Sequence, residues 1–195
     1  MKLQRTMEVV RAAPDGSTLL VGSSSITILP FLQPRLGLDP VRDLVPVLEK
    51  VIQTGKPLVM HQGTGHDMIF YRGWGSPTAN LLATQSMAPR AAALFSCSGI
   101  LERHPDLHLV LVEVNAGWMA WANSTLDEYY QAHAGWTKVK LAELPSHYMH
   151  RNVFLTFIDE PHAIRLGRET LGIENILWSS DYPHPVSSWP KSRSV

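Results

Sequence analysis

Short apolar runs alternate with longer amphipathic stretches along most of this 195-residue chain. From about residue 44 the alternation predicts helices over 44–52, 78–103, 117–134 and 160–171, and strands over 58–61, 108–113, 152–157 and 176–179. Strands that are apolar on both faces, separated by helices of ten or more residues, are typical of a parallel sheet covered by helices. We therefore predict an α/β fold with four β/α units in this part of the chain.

The first 48 residues have a different pattern. A short helix is predicted over 3–11, a turn at Pro14-Asp15-Gly16 and one strand over 18–21. A loop interrupted by three prolines and a glycine follows up to residue 40. We accordingly expect two parts, a short N-terminal α/β segment over 1–48 and the β/α units over 49–195.

Composition narrows the class of protein. The chain is 45% hydrophobic and 17% charged, with 17 basic and 17 acidic side chains, which is typical of a folded globular domain and not of a disordered one. A net charge of zero gives no electrostatic footprint for nucleic acid, so we expect no nucleic-acid partner. The single cysteine, Cys97, excludes an intrachain disulfide and any zinc site built from several cysteines.

No segment of the sequence predicts membrane insertion or export. The longest apolar run, about 19–32, is interrupted by Gly22, a serine triplet and Pro30, whereas a membrane span needs about 20 apolar residues. The N-terminus lacks the apolar core of a signal peptide, which has about 7–15 residues. We expect a cytoplasmic protein without a membrane partner.

Side chains that bind metals follow three of the four predicted strands. The first strand ends at His61, the second at Glu113, and Asp181 comes just after the last. In parallel β/α folds such strand ends lie at one face of the sheet, where reactive groups gather. Imidazole and carboxylate groups converging there suit a divalent cation with one open position for water. His66, in the glycine-rich loop after His61, and His184, three residues after Asp181, are predicted to lie nearby.

Purely structural roles explain each of these residues as well. Glu113 is suited to bind backbone amides, and Asp181 to cap a helix or form a turn before Pro183. Cys97 in its helix is expected to be a small buried hydrophobe. Histidines that do not end a strand are expected to be surface or core residues: His104, His108, His133, His147, His150 and His162.

Residues from about 46 to 193 resemble the back half of amidohydrolase-related proteins. This group includes 2-amino-3-carboxymuconate-6-semialdehyde decarboxylase and γ-resorcylate decarboxylase. The matching segments are GKPLVMHQGTG, RHPDLHLVLVEVNAGWMAW, RNVFLTFIDEP and LGIENILWSSDYPHPVSSWPKS. The resemblance implies a partial (β/α)₈ TIM barrel made of its last four units. It also implies a divalent metal, usually zinc with manganese as the alternative. The implied reaction is hydrolysis of a C–N or C–O bond, or non-oxidative decarboxylation, of a small carboxylate or carbonyl compound.

The same resemblance implies roles for individual residues. His61 matches a metal ligand, Asp181 a metal ligand that also transfers protons, and Glu113 a catalytic group. His184 matches a histidine that lies near the substrate or behind the metal ligands, and His66, from its loop position, is expected in the same surroundings. The family's first strand normally supplies a His-x-His pair, and none precedes His61. With only two protein ligands a metal binds weakly, so we expect a truncated chain that turns over poorly alone. Open sheet edges leave three outcomes: a homodimer, coverage of one edge by the N-terminal segment, or a poorly folded chain.

The first 48 residues are similar to the tripartite tricarboxylate (Bug-type) solute receptors. The segment that carries the similarity is EVVRAAPDGSTLLVGSSSITILPFLQPRLGLDPVRDLVPV. The resemblance implies a foreign segment fused to the half-barrel. It leaves two alternatives to an enzyme: a binding module for small carboxylates, and a gene fusion without function.

Overall fold

The computed structural model describes residues 8, 11–13, 47–62, 71–136, 139–166 and 172–194. The chain divides into two compact units, 1–50 and 51–195. The predicted strand over 18–21 and the proline-interrupted loop of the first unit lie outside the described residues, as does His66. The second unit contains the four predicted strands.

Four short strands form the centre of the second unit: β1 (Leu58–His61), β2 (Leu109–Val112), β3 (Val153–Phe157) and β4 (Ile176–Trp178). The helices are α1 (Val47–Thr54), α2 (Ser76–Gln85), α3 (Met87–Cys97), α4 (Ile100–Arg103), α5 (Trp118–Ala132), α6 (Pro145–Asn152) and α7 (Pro161–Leu166). Single 3₁₀ turns lie at Ile173–Asn175 and Ser192–Ser194.

The strands form one parallel sheet in the order β1-β2-β3-β4. The register pairs His61 with Val112 across β1 and β2, and Phe157 with Trp178 across β3 and β4. Sequential order with a helical connection between neighbours is the topology of consecutive units of a β/α barrel. The predicted α/β fold with a parallel four-stranded sheet is confirmed.

The two faces of the sheet differ sharply in burial. The sequence pattern did not decide which face of the sheet each strand side chain points to, and this applies to Val59, Leu109, Leu111 and Leu155. In the structure the three leucines are fully buried under the helices, whereas Val59 is 58% exposed on the opposite, open face. The core therefore lies between the sheet and helices α3, α5 and α6, where Met119 and Met149 are also fully buried.

Two helical predictions are corrected. The region 78–103, predicted to be mostly helical with its stronger half starting at Pro89, contains three helices, and the last break is at Gly99, which has φ of 75°. A Cβ on Gly99 would lie 3.0 Å from Val139 Cγ1, so backbone conformation and space both favour glycine there. Helix α6 was not predicted, because its sequence PSHYMHRN is largely polar. It nevertheless buries Tyr148 and Met149.

Aromatic side chains are unusually exposed. Five of the six tryptophans expose about half of their surface or more: Trp74, Trp121, Trp136, Trp178 and Trp189.

Within the part of the chain that the structure describes, no helix is both long and apolar enough to span a membrane.

Candidate metal-binding active site

Three of the four strand ends deliver polar side chains to one region. His61 is the last residue of β1, Glu113 follows β2 directly, and Asp181 comes three residues after β4. Glu113 and Asp181 both have left-handed backbones, with φ of 60° and 54°. Such angles are uncommon for residues with a Cβ and cluster at functional sites.

His61 binds Glu113 directly. Its Nε2 lies 2.9 Å from Glu113 Oε1, and its Nδ1 lies 2.9 Å from the carbonyl oxygen of Gln62. Both ring nitrogens therefore face oxygen acceptors, which favours the doubly protonated imidazolium. Gln62 donates from Nε2 to Glu113 Oε2 over 3.0 Å, so the two oxygens of Glu113 have separate partners from the end of β1.

Asp181 connects Glu113 to His184. Asp181 and Glu113 share a hydrogen bond, and His184 Nδ1 lies 3.1 Å from Asp181 Oδ1. One ligand atom from each of Glu113, Asp181 and His184 lies within 4.8 Å of the other two. The Asp181 side chain is only 5% exposed, whereas that of His184 is 58% exposed, so the group opens to solvent on the His184 side.

The electrostatics of these groups are coupled. Burial raises the pKa of Asp181, and the hydrogen bond and negative charge of Glu113 raise it further. Burial alone would raise the pKa of Glu113 too, but hydrogen bonds from Asp181, Gln62 and His61 outweigh it and lower that pKa. The Gln62 carbonyl raises the pKa of His61 against the effect of burial, and Glu113 adds to the rise. The proximity of the two carboxyl groups therefore moves their pKa values in opposite directions.

The donor set suits a divalent cation. Two carboxylates and an imidazole are oxygen and nitrogen ligands of the kind that Mn²⁺ and Zn²⁺ accept. Their ligand atoms already lie near one another, and a cation would offset the repulsion between the two neighbouring carboxylates. The residues present therefore fit a metal. Glu113, Asp181 and His184 form the cluster of neighbouring ligand atoms, and His61 lies beside it.

Of the residues singled out from the sequence, the structure brings together His61, Glu113, Asp181 and His184, and it does not describe His66. Sequence reasoning missed Gln62 and two residues that hold the backbone after β2. Thr156 Oγ1 accepts from the Glu113 N–H over 2.7 Å, and Glu160 accepts from the Ala116 N–H over 2.7 Å. A threonine inside an otherwise apolar strand was the only signal for Thr156.

A cavity of about 510 Å³ lies on the C-terminal segment. Ser180, adjacent to Asp181 in sequence, is part of its lining, but Glu113, Asp181 and His184 are not. Its other walls are Trp178 and the segment 189–193. Trp178 is paired with Phe157 in the register of β3 and β4.

The sequence profile of the amidohydrolase family matches residues 27–195. No curated protein matches the chain. The chain is similar to an amidohydrolase from Mycobacterium avium subsp. paratuberculosis K-10, with 21% identity and a TM-score of 0.60, covering 75% of this chain and 38% of that one. It is also similar to the 5-carboxyvanillate decarboxylase LigW from Sphingomonas paucimobilis, with 26% identity and a TM-score of 0.51, covering 73% and 43%.

A third similar structure is a 5-carboxyvanillate decarboxylase from Novosphingobium aromaticivorans DSM 12444, complexed with manganese and 4-hydroxy-3-methoxy-5-nitrobenzoic acid. It shares 14% identity and a TM-score of 0.60, over 99% of this chain and 54% of that one. In these three comparisons the matched region spans 38% to 54% of the other chain's length.

Proposed function

Because the chain belongs to the amidohydrolase family, we propose that it contributes the metal site of a metal-dependent decarboxylase acting on a small aromatic carboxylate. The observation that carries the proposal is the convergence of Glu113, after β2, with Asp181 and His184, after β4, so that their ligand atoms lie within 4.8 Å of one another. Similar structures that are decarboxylases favour this reaction over hydrolysis, which is the family's other chemistry.

Glu113, Asp181 and His184 would hold the metal, and His61 would join them through the Nε2 that now faces Glu113. Manganese, which several similar structures contain, and zinc both suit this donor set. When bound, the metal would supply positive charge that polarises substrate oxygens. The nine-tenths-buried Asp181 side chain would be shielded from water, while exposed His184 would border the substrate.

Decarboxylation fits the environment of Asp181. The reaction breaks a C–C bond, releases CO₂ and requires one proton on the carbon that loses the carboxylate. Asp181 is a buried carboxyl group whose pKa is raised by burial and by Glu113, and a general acid needs a group of this kind close to the reacting carbon. We assign proton delivery to Asp181. Glu113 would act through its negative charge, which raises the pKa of Asp181.

We further propose that two copies pair through the outer strands of the sheet. Among the described residues, β1 and β4 each have a strand neighbour on one side only. The open face presents Val59 and Leu177 at 58% and 41% exposure. A two-fold axis along the sheet's strand direction would place β4 of each copy beside β1 of the other, in parallel. Light scattering after size exclusion should then give twice the chain mass, and a monomer at all concentrations would refute the pairing.

Metal binding tests the site directly. Calorimetry with Mn²⁺ on the full chain should give about one ion per chain, and Glu113→Gln, Asp181→Asn and His184→Gln should each weaken binding at least tenfold. His104→Gln is the matched control, because His104 precedes β2 at the opposite end of the strands. The proposal fails if the wild-type chain takes up no metal, or if all four variants bind it equally.

CO₂ release then separates decarboxylation from hydrolysis. Hydroxybenzoates with a carboxylate beside a phenol are suitable probes, and we expect Mn²⁺-dependent CO₂ release that Asp181→Asn abolishes. Metal binding with no CO₂ from these acids, but with cleavage of amide or ester probes, would assign the family's hydrolytic chemistry instead. The cytoplasmic location and the receptor-like origin of residues 1–48 stay predictions from the sequence.

A further inference from the structure

The loop that carries Glu113 is held from the next β/α unit at two points. It runs from Glu113, after β2, to Gly117, before α5. The Glu113 N–H donates to Thr156 Oγ1 over 2.7 Å at the start of the loop. At its end the N–H groups of Ala116 and Gly117 donate to the two oxygens of Glu160, over 2.7 and 3.1 Å. One carboxylate thus binds two successive backbone amides.

This loop needs such restraint because its backbone is strained. Glu113 and Asn115 have φ of 60° and 58°, although neither is glycine. A residue in this region costs on the order of 1 kcal/mol and persists only where its surroundings fix it. Relaxation at either residue would rotate the Glu113 side chain away from its partners.

Gly117 and Glu160 are matched to one another. A Cβ on residue 117 would lie 2.7 Å from Glu160 Oε1, closer than real Cβ contacts allow. Glycine at 117 therefore lets the Glu160 carboxylate approach the backbone, and any larger residue would force that carboxylate to move; the backbone angle of Gly117, with φ of −60°, would not itself demand glycine.

We infer that Glu160 is a positioning residue for the metal site, acting through the backbone of the loop 113–117 to hold the Glu113 side chain against Asp181 and His61. This inference rests on the proposed function, because it assigns Glu160 to the same site. Glu160 does not touch the ligand atoms, so its effect should depend on the loop and not on its own charge near the metal.

Four variants of the full chain test the role. Glu160→Ala removes both acceptors and should weaken Mn²⁺ binding about tenfold, the effect expected of residues that orient ligands. Glu160→Gln keeps one acceptor and should lie between Glu160→Ala and wild type. Asp159→Asn removes a charge from the same segment without touching the amides, and should bind as wild type. Gly117→Ala should weaken binding in the wild-type background but add nothing to Glu160→Ala, since the clashing oxygen is then gone.

A second readout does not require metal. The side-chain NMR signal of His61 in Glu160→Ala should move toward its position in Glu113→Gln, because Glu113 leaves the ring in both. If Glu160→Ala leaves both the His61 signal and Mn²⁺ affinity as in Asp159→Asn, Glu160 merely caps α5 and the inference is wrong. If no variant, wild type included, binds Mn²⁺, the proposed function fails, and the His61 signal alone then decides whether Glu160 positions Glu113.

Discussion

Two asparagines connect the sheet at the N-terminal ends of its strands. Asn152, immediately before β3, is fully buried and donates from Nδ2 to the carbonyls of Pro105 and Leu107 over 2.8 and 2.7 Å. Asn175, immediately before β4, does the same to His150 and Val153 over 2.7 and 2.8 Å. Each amide thus ties its own strand to the unit before it, and buried carbonyls without such a partner would be costly.

Replacing Asn152 by alanine should lower the free energy of unfolding by about 2–3 kcal/mol, because two carbonyls lose their donor. Urea denaturation measures this. Asn152→Asp should cost more, since a carboxylate would face the same two carbonyls. Asn123→Ala is the control: the Asn123 amide binds only His150 Nε2, and its buried oxygen has no partner. Equal losses of unfolding free energy in Asn152→Ala and Asn123→Ala would contradict this account.

The residue-level chemistry was only partly visible in the sequence. Strand ends with apolar runs before them pointed to His61, Glu113 and Asp181, because side chains at the carboxyl ends of parallel strands converge whatever the details of packing. Glu160 gave no such signal. Its role depends on which amides a neighbouring loop turns toward it, and no pattern of residue types along the chain specifies that direction.

At the scale of elements, α4 and α6 are joined through Glu102 and Tyr148. Tyr148 is 2% exposed, and its hydroxyl donates to Glu102 Oε2 over 2.6 Å. The Ala142 N–H donates to the same oxygen over 3.0 Å. The hydrogen bond from Tyr148, followed by that from Ala142, lowers the pKa of Glu102. A polar helix such as α6 is therefore fixed by buried contacts, which its weak apolar pattern does not indicate.

This lowered pKa makes the stabilisation by Tyr148 depend on pH. A carboxyl whose pKa is lower in the folded state stabilises the fold above its ordinary pKa, here 4.5, and that contribution is lost as the pH falls through the lowered value. Tyr148→Phe removes the largest cause. The melting temperature of Tyr148→Phe should lie below that of wild type at pH 6, and the gap should narrow as the pH falls below 4.5 and through the lowered pKa. A gap that stays constant over this range would refute the link to Glu102.

At the scale of the molecule, the sheet is covered on one face only within the described residues. Four parallel strands in sequential order were predictable, because apolar runs and intervening helices permit few topologies. Which side chains of each strand face the helices was not predictable, since the strands are largely apolar on both faces. The helices decide it by burying Leu109, Leu111 and Leu155 and leaving Val59 on the open side.

Because only one face of the sheet is covered, substitutions on its two faces should lower the stability of the monomer by different amounts. Leu111→Ala should destabilise the fold by about 2–5 kcal/mol, because it leaves a cavity under the helices. Val59→Ser, at a side chain 58% exposed, should cost less than about 0.5 kcal/mol. Chemical denaturation at low protein concentration measures both. At high concentration a larger loss for Val59→Ser would instead report burial of the open face by a second copy.

The exposure of five tryptophans has a consequence for how such experiments are read. Indole fluorescence shifts in wavelength when water reaches a previously dry ring, and here most rings meet water before the chain unfolds. Unfolding should therefore change the fluorescence emission only slightly. Most of that change should come from the half-buried Trp118, whose indole donates to the Val114 and Asn115 carbonyls. Far-ultraviolet circular dichroism follows the helices directly, and the residual fluorescence change becomes a local probe of the loop that carries Glu113.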